Sequence, residues 1–179
     1  MTEKFGKIQI YTGNGKGKTT ASLGLAIRAF GRGRKVIIIY FDKGGDHYGE
    51  RRVLDKLGLE YHACGLKRFD EIKKKFRFGV IEDDIKEAQR GLKLVKQIFQ
   101  DQAADLLILD EIHPTIHLDM LKLEEVIEVI KQKPLEMELV MTGRGAKDEL
   151  IDLADLVTEM KPIKHYFDQG QLAREGIEY

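Results

Sequence analysis

The sequence lacks several features that mark particular classes of protein. Its 179 residues include no tryptophan, three prolines and a single cysteine, Cys64. One cysteine excludes an intramolecular disulfide, and the first residues are polar rather than typical of a secretion signal, so we expect a cytoplasmic protein. No apolar stretch approaches the roughly 20 residues that a transmembrane helix needs, so we expect no membrane-spanning segment.

The chain also lacks a net charge, because 30 Lys and Arg residues offset 30 Asp and Glu residues. No overall field would draw it to nucleic acid or to an anionic membrane, so an anion site has to be built locally. The composition, 42% hydrophobic and 34% charged, is typical of a soluble globular protein. With no internal repeat and no composition shift, we predict one domain over residues 1–179.

Hydrophobic patterns predict strands that alternate with helices. Short apolar runs predict strands at residues 7–11, 36–41, 59–63, 106–111, 138–142 and 156–160. Apolar residues at intervals of three or four predict helices at 83–100 and 123–131, with shorter ones at 49–57 and 147–153. A first helix, with Leu23, Ile27 and Phe30 at near-helical spacing, ends at Gly31. This alternation predicts a mostly parallel sheet of about six strands flanked by helices.

The first strand and the first helix are joined by a glycine-rich segment, Gly13-Asn14-Gly15-Lys16-Gly17-Lys18-Thr19-Thr20. The usual phosphate loop is Gly, four residues, then Gly-Lys-Ser/Thr, which places Thr12 where the first glycine should stand. The glycines still let the amides point inward, Lys18 supplies a positive charge, and Thr19 can offer its hydroxyl to a phosphate-bound magnesium ion. The alternative is a turn with lysines in solvent, which the flanking strand and helix disfavour. We predict an α/β fold of the P-loop NTPase-like (RecA-like) kind.

Two acidic residues, Asp110 and Glu111, end a predicted buried strand. P-loop enzymes place carboxylates there that hold magnesium directly or through water. The alternative is an acidic turn that caps a strand in water. Because the phosphate loop is also present, we favour a magnesium site that includes Thr19.

Other reactive side chains give weaker signals. His113, His117 and His165 lack the spacing of a metal site, so we interpret them as surface or packing residues. Cys64 is expected to be a small buried hydrophobic residue rather than a nucleophile.

The stretch from Lys67 to Arg77 is basic, is interleaved with Phe69 and Phe76, and is followed by Phe78. Three interpretations stay open: a solvated loop, which we favour, a nucleic-acid surface with stacking aromatics, or a lid over a ligand.

Several segments together resemble the P-loop family of corrinoid adenosyltransferases, over most of the chain. The resemblance rests on Thr12-Gly13-Asn14-Gly15-Lys16-Gly17-Lys18-Thr19-Thr20-Ala21, Leu109-Asp110-Glu111, Thr142-Gly143-Arg144-Gly145, Ala154-Asp155-Leu156-Val157-Thr158-Glu159-Met160, Lys164-His165 and Gly176-Ile177-Glu178-Tyr179. Generic P-loop ATPases are not expected to share the second half of this set.

The resemblance implies a reaction and its site residues. In that family, cobalt(I) of a reduced corrinoid attacks the 5′ carbon of ATP, and the whole triphosphate leaves. ATP is understood to lie reversed in the loop, which would account for the displaced glycine. The amides of residues 14–20 would hold the triphosphate, and Lys16 and Lys18 would offset its charge. Thr19 and Glu111 would ligate magnesium, with Asp110 close behind.

The resemblance also implies contacts beyond the phosphate loop. Arg144, in a turn after a strand, would contact a phosphate or the ribose, with a solvent-exposed turn arginine as the alternative. Family members typically carry aromatic residues, often tryptophan, where this chain has residues 63–78, and Phe69 is the expected corrinoid contact. The loop after Glu111 reads Ile112-His113-Pro114-Thr115 and lacks the aromatic residue of the family. The partners implied are a second copy of the chain, as a homodimer, and a reducing flavoprotein.

Two other functions stay open on the sequence alone. A P-loop phosphotransferase or ATPase would explain Lys18, Thr19 and Glu111, with the C-terminal resemblance left as ancestry. A nucleotide-dependent corrinoid-binding module would bind both ligands without turnover. Product identity separates these functions from adenosyl transfer.

Overall fold

The computed structural model describes residues 6–70, 75–77 and 79–179. The strands are β1 (Ile8–Thr12), β2 (Val36–Phe41), β3 (Glu60–Cys64), β4 (Phe69–Asp70), β5 (Lys75–Phe76), β6 (Leu106–Asp110), β7 (Glu138–Thr142) and β8 (Leu156–Glu159). The α-helices are α1 (Lys18–Phe30), α2 (Gly49–Leu57), α3 (Glu82–Asp101), α4 (Ile112–His117), α5 (Leu123–Ile130) and α6 (Asp148–Ile151), and a 3₁₀ helix spans Tyr166–Gln169. In the described ranges, none of the helices combines the length and the apolar character needed to cross a membrane.

Six of the strands form one sheet in the order β3-β2-β6-β7-β1-β8, and all neighbouring strands are parallel. This confirms the predicted P-loop NTPase-like α/β fold. The predicted strand ends differ from the observed ones by at most one residue, because the apolar runs coincide with the buried part of each strand.

The core lies on both faces of the sheet. Along β2, Ile37, Ile39 and Phe41 pack on the side of α3, whereas Ile38 and Tyr40 pack on the side of α1 and α2. Successive side chains of a strand point to opposite faces, so a strand covered on both sides is apolar throughout. All six residues of β2 are buried, as the sequence predicted.

Helix α1 contacts the sheet through smaller residues than the apolar pattern suggested. Ser22 and Ala26 are buried, whereas Ile27 is 52% exposed. Small side chains on the inward face let the helix lie close to the sheet, which is how α1 brings the phosphate loop to the strand ends.

The segment after Glu111 forms helix α4, so the expectation of a loop there was wrong. Pro114 lies in the first turn of this helix, where a missing amide hydrogen costs no hydrogen bond. Ile112 and Ile116 are buried in the core and anchor the helix.

The basic stretch is tied to the body of the protein. Strands β4 and β5 pair antiparallel. On either side of them, Arg77 donates two hydrogen bonds of 2.7 Å to the buried carboxylate of Asp84, and Arg68 Nη2 lies 2.7 Å from Asp42 Oδ1. The interpretation of this stretch as a solvated loop is therefore wrong for its two arginines.

Candidate active site

The site lies at the carboxyl edge of the sheet, where the loops that follow parallel strands meet. The phosphate loop follows β1, Lys43 follows β2, Glu111 follows β6 and Arg144 follows β7. These loops and the C-terminal segment line a cleft of about 700 Å³, a volume typical of small-molecule sites. The predicted site residues that line it are Asn14, Gly15, Lys16, Gly17, Lys18, Thr19, Thr20, Glu111 and Arg144.

The glycines of the phosphate loop allow a close approach of the main chain after β8. Gly15 N donates to Met160 O at 2.7 Å. A Cβ atom at Gly13 would lie 2.5 Å from Met160 O, and one at Gly15 would lie 2.7 Å from it. Gly13 and Gly17 also have positive φ angles of 95° and 118°, which glycine adopts most easily.

Thr12 continues the sheet instead of starting the loop. Its carbonyl accepts a hydrogen bond from Met160 N at 2.8 Å, and its hydroxyl accepts one from Ala146 N at 3.3 Å. An extended residue in a strand does not require glycine, whereas the next residue, Gly13, does. The packing of β8 against the loop is therefore a physical reason for the displaced glycine.

Lys18 opens helix α1 and points into the loop. Its Nζ donates to Gly15 O at 2.7 Å, and the residue is only 7% exposed. Burial lowers its pKa, an effect that the nearby carboxylate of Glu111 opposes. Thr19 and Thr20 follow in the first turn, where the free amides of a helix attract anions.

Three charged side chains, Lys43, Asp110 and Glu111, form a cluster with two threonines beside Lys18. Lys43 Nζ donates to Asp110 Oδ2 at 2.5 Å and to Thr19 Oγ1 at 3.0 Å, and lies 3.9 Å from Glu111 Oε1. Thr142 holds the acidic residues from β7, since its hydroxyl donates to Asp110 Oδ1 at 2.7 Å and accepts from Glu111 N at 3.0 Å. Asp110 is thus hydrogen-bonded through both carboxylate oxygens.

The charges in this cluster act on one another's pKa values. Burial raises the pKa of Glu111, and Asp110 adds to this effect, although Lys43 opposes it. Burial alone would lower the pKa of Lys43, but the neighbouring carboxylates outweigh it and leave that pKa raised.

The cluster fits a magnesium ion. Thr19, Asp110 and Glu111 present oxygen atoms around one position that already accommodates the cationic group of Lys43. Magnesium in nucleotide sites uses one or two carboxylates together with phosphate oxygens and water. Across the described ranges no group of three or more His, Cys, Asp and Glu side chains could hold a metal by itself.

Lys16 points away from Lys18, towards the C-terminal segment. Its Nζ donates to Ile177 O at 2.8 Å and lies 3.3 Å from Glu178 Oε1. Hydrogen bonds from Tyr166 and Arg174 lower the pKa of Glu178 to about 2, so this carboxylate is charged at neutral pH. The contact of Lys16 with triphosphate remains a prediction.

Comparison with known proteins identifies the family. The family model described as "ATP:corrinoid adenosyltransferase BtuR/CobO/CobP" matches residues 4–179. The chain belongs to this family. It is 36% identical over 174 residues to the corrinoid adenosyltransferase of Escherichia coli strain K12, an alignment that covers 97% of this chain and 86% of the relative. It is 37% identical over 177 residues to the corrinoid adenosyltransferase CobA of Salmonella typhimurium, covering 99% and 87%. The family and the enzyme class expected from the sequence are confirmed.

Some residues of this adenosyltransferase site were missed by sequence reasoning. Lys43 and Tyr48 line the cleft, and so do His165 and Tyr166. Lys43 could have been predicted from the sequence, because it stands two residues after a buried strand, at the sheet edge where ligands bind. The C-terminal residues gave no such signal, since their place depends on how the chain returns after β8.

The histidines, the cysteine and the phenylalanines named in the sequence analysis lie in different environments. His113 is buried, as a packing residue would be, and His117 is exposed, whereas His165 borders the cleft. Cys64 is fully buried, as expected of a small buried hydrophobic residue, and burial raises its pKa. The main chain of Phe69 lies in β4, but its side chain, like Phe78, lies outside the described part of the structure.

Proposed function

We propose that this adenosyltransferase transfers the 5′-deoxyadenosyl group from MgATP to cobalt(I) of a reduced corrinoid. An electron pair of cobalt forms a bond to the 5′ carbon, the bond from that carbon to its oxygen breaks, and triphosphate leaves with the bonding electrons. The observation that supports this most is that Thr19 and Glu111 line one cleft together with the phosphate loop, and that Lys43 in the same cleft contacts the buried Asp110.

The loop would act on the leaving group. The free amides at the start of α1 and the ammonium of Lys18 can stabilise the charge that develops on triphosphate. A unit charge about 4 Å away contributes on the order of 4 kcal/mol at an effective dielectric constant near 20, before desolvation costs. Half of this energy, if it stabilises the transition state, raises the reaction rate more than about tenfold.

Thr19, Asp110 and Glu111 would hold magnesium. When bound, magnesium supplies positive charge to the triphosphate and fixes its position. Thr142 keeps both acidic residues oriented through its hydroxyl. The role of these protein groups is positioning, because the nucleophile is the substrate's own cobalt.

Lys16 and Arg144 would add further positive charge around the phosphates. The ion pair of Lys16 with Glu178 is partly exposed, and exposed ion pairs are weak because water screens them, so a phosphate can replace Glu178. Arg144 is exposed and borders the cleft, which suits a contact with phosphate or ribose.

The test is the identity of the product. Anaerobic incubation with ATP, magnesium and chemically reduced cobalamin should yield a light-sensitive adenosylated corrinoid and triphosphate in equal amounts. ADP or pyrophosphate as the released phosphate would contradict the proposal. Omission of the reductant is the control, because cobalt needs its cobalt(I) electron pair to attack carbon.

The proposal extends to the setting of the reaction. The enzyme would work in the cytoplasm as a homodimer and receive cobalt(I) through a reducing flavoprotein. Phe69 would contact the corrinoid. Support for these points comes from the sequence and its resemblance to the family.

A further inference from the structure

The ammonium group of Lys43 lies on the oxygens that we assign to magnesium. It is 2.5 Å from Asp110 Oδ2, 3.0 Å from Thr19 Oγ1 and 3.9 Å from Glu111 Oε1. Magnesium binds its oxygen ligands at about 2.0–2.1 Å in octahedral geometry. The ammonium and a magnesium ion on these oxygens would be two neighbouring positive charges, so each weakens the binding of the other.

The main chain of Lys43 is held in place by Arg51. The guanidinium, on a residue that is 6% exposed, donates to Lys43 O at 2.6 Å and to Gly45 O at 2.5 Å. It also lies 4.8 Å and 4.6 Å from the ring centroids of Tyr40 and Tyr48, within cation–π distance. Lys43 can therefore leave the oxygens by rotation of its side chain, which keeps the ammonium at the cleft that it lines.

We propose that Lys43 is an internal cation that makes magnesium binding depend on the nucleotide. Magnesium alone has to remove the ammonium from Asp110, a residue whose side chain is 1% exposed, and nothing replaces the lost partner of the lysine. A magnesium–nucleotide complex brings phosphate oxygens, which ligate the metal and pair with the displaced ammonium. This inference rests on the proposed MgATP site and assigns it a positioning residue.

A merely structural ion pair would have the same distances but different consequences. If Lys43 only stabilised the fold, its replacement would weaken the protein and would change its affinity for metal by the same factor with and without nucleotide. If Lys43 competes with the metal, its replacement leaves two neighbouring carboxylates without their cation. Their attraction for a divalent ion then increases.

The test measures metal binding without any reaction. Mn²⁺, which prefers the same oxygen ligands, is titrated at pH 8 without nucleotide, and free Mn²⁺ is measured by electron paramagnetic resonance. The proteins are wild type, Lys43→Met, Lys43→Gln and the control Lys86→Met, whose lysine pairs with Glu82 and Asp83 on the surface of α3. Both Lys43 variants should bind Mn²⁺ at least about tenfold more tightly than wild type, because the competing charge is gone. The control should match wild type.

A second titration in the presence of ATP, compared with ATP alone because ATP itself binds Mn²⁺, separates the possible failures. All four proteins should then bind Mn²⁺, with a smaller difference between them. If the Lys43 variants gain no affinity without ATP although every protein binds Mn²⁺ with it, competition by Lys43 is refuted and the proposed function stands. If wild type does not bind Mn²⁺ even with ATP, the metal site of the proposed function is refuted as well. Failure of both Lys43 variants to fold would show a structural ion pair and would also refute the inference.

Discussion

Replacement of Gly13 by alanine should destabilise the protein, whereas the same replacement at Gly24 should stabilise it. Gly13 has a φ angle of 95°, and a Cβ atom there would lie 2.5 Å from Met160 O and 2.8 Å from Met160 N. Gly24 lies inside α1, and a Cβ atom there would have no neighbour within 4 Å. The two changes add the same methyl group to the phosphate loop and to the helix that follows it, so they form a matched pair.

The magnitude follows from these contacts. A left-handed conformation costs an L-residue about 1–2 kcal/mol. Movement of the main chain at Met160 would also weaken its hydrogen bond to Gly15 or Thr12, which adds about 1 kcal/mol. The sum of about 2–3 kcal/mol would lower the melting temperature by roughly 5–10 °C for a chain of this size. Gly24→Ala should instead gain about 1 kcal/mol from the higher helix propensity of alanine.

Urea unfolding followed by circular dichroism, together with ATP binding by calorimetry, checks this prediction. Gly13→Ala should unfold at lower urea concentration and bind ATP more weakly, because the loop shifts with Met160. Unchanged stability with weaker ATP binding would mean that Gly13 is needed only next to the phosphates. That result would refute our explanation of the displaced glycine by the packing of β8.

Three further predictions concern single side chains. Lys18→Ala should lower turnover by about tenfold or more, with Lys86→Ala as a control that leaves turnover unchanged. Asp84→Ala should reduce the free energy of unfolding by about 3 kcal/mol, because it removes the carboxylate that pairs with the guanidinium of Arg77. The main-chain amide of Arg77 should then exchange its hydrogen faster. Burial lowers the pKa of His113 to about 4. As the pH falls from roughly 6.5 to 4, His113 is therefore protonated in the unfolded state before it is protonated in the folded state. The free energy of unfolding should fall by up to about 3 kcal/mol over this range. His113→Leu should remove that part of the pH dependence of urea unfolding; an unchanged profile would show that other groups cause it.

Much of the fold was predictable because its signals are local. The run from Val36 to Phe41 is apolar at every position, and a strand of that kind is buried on both faces of a parallel sheet. Helix α4 was missed because its six residues contain a proline and are too few to show a period. The exposure of Ile27 was missed because the inward face of α1 carries the small residues Ser22 and Ala26, which a search for large apolar residues does not find.

The sequence by itself determined the phosphate loop, the six strands of the main sheet with the longer helices between them, and the family. Those depend on residues that are adjacent or regularly spaced, so they can be read along the chain. Tertiary structure alone decided which distant groups meet: Lys43 on Asp110, Met160 against Gly13, and Glu178 against Lys16. The reason is the parallel sheet, which collects the carboxyl ends of its strands at one edge regardless of their separation in the chain.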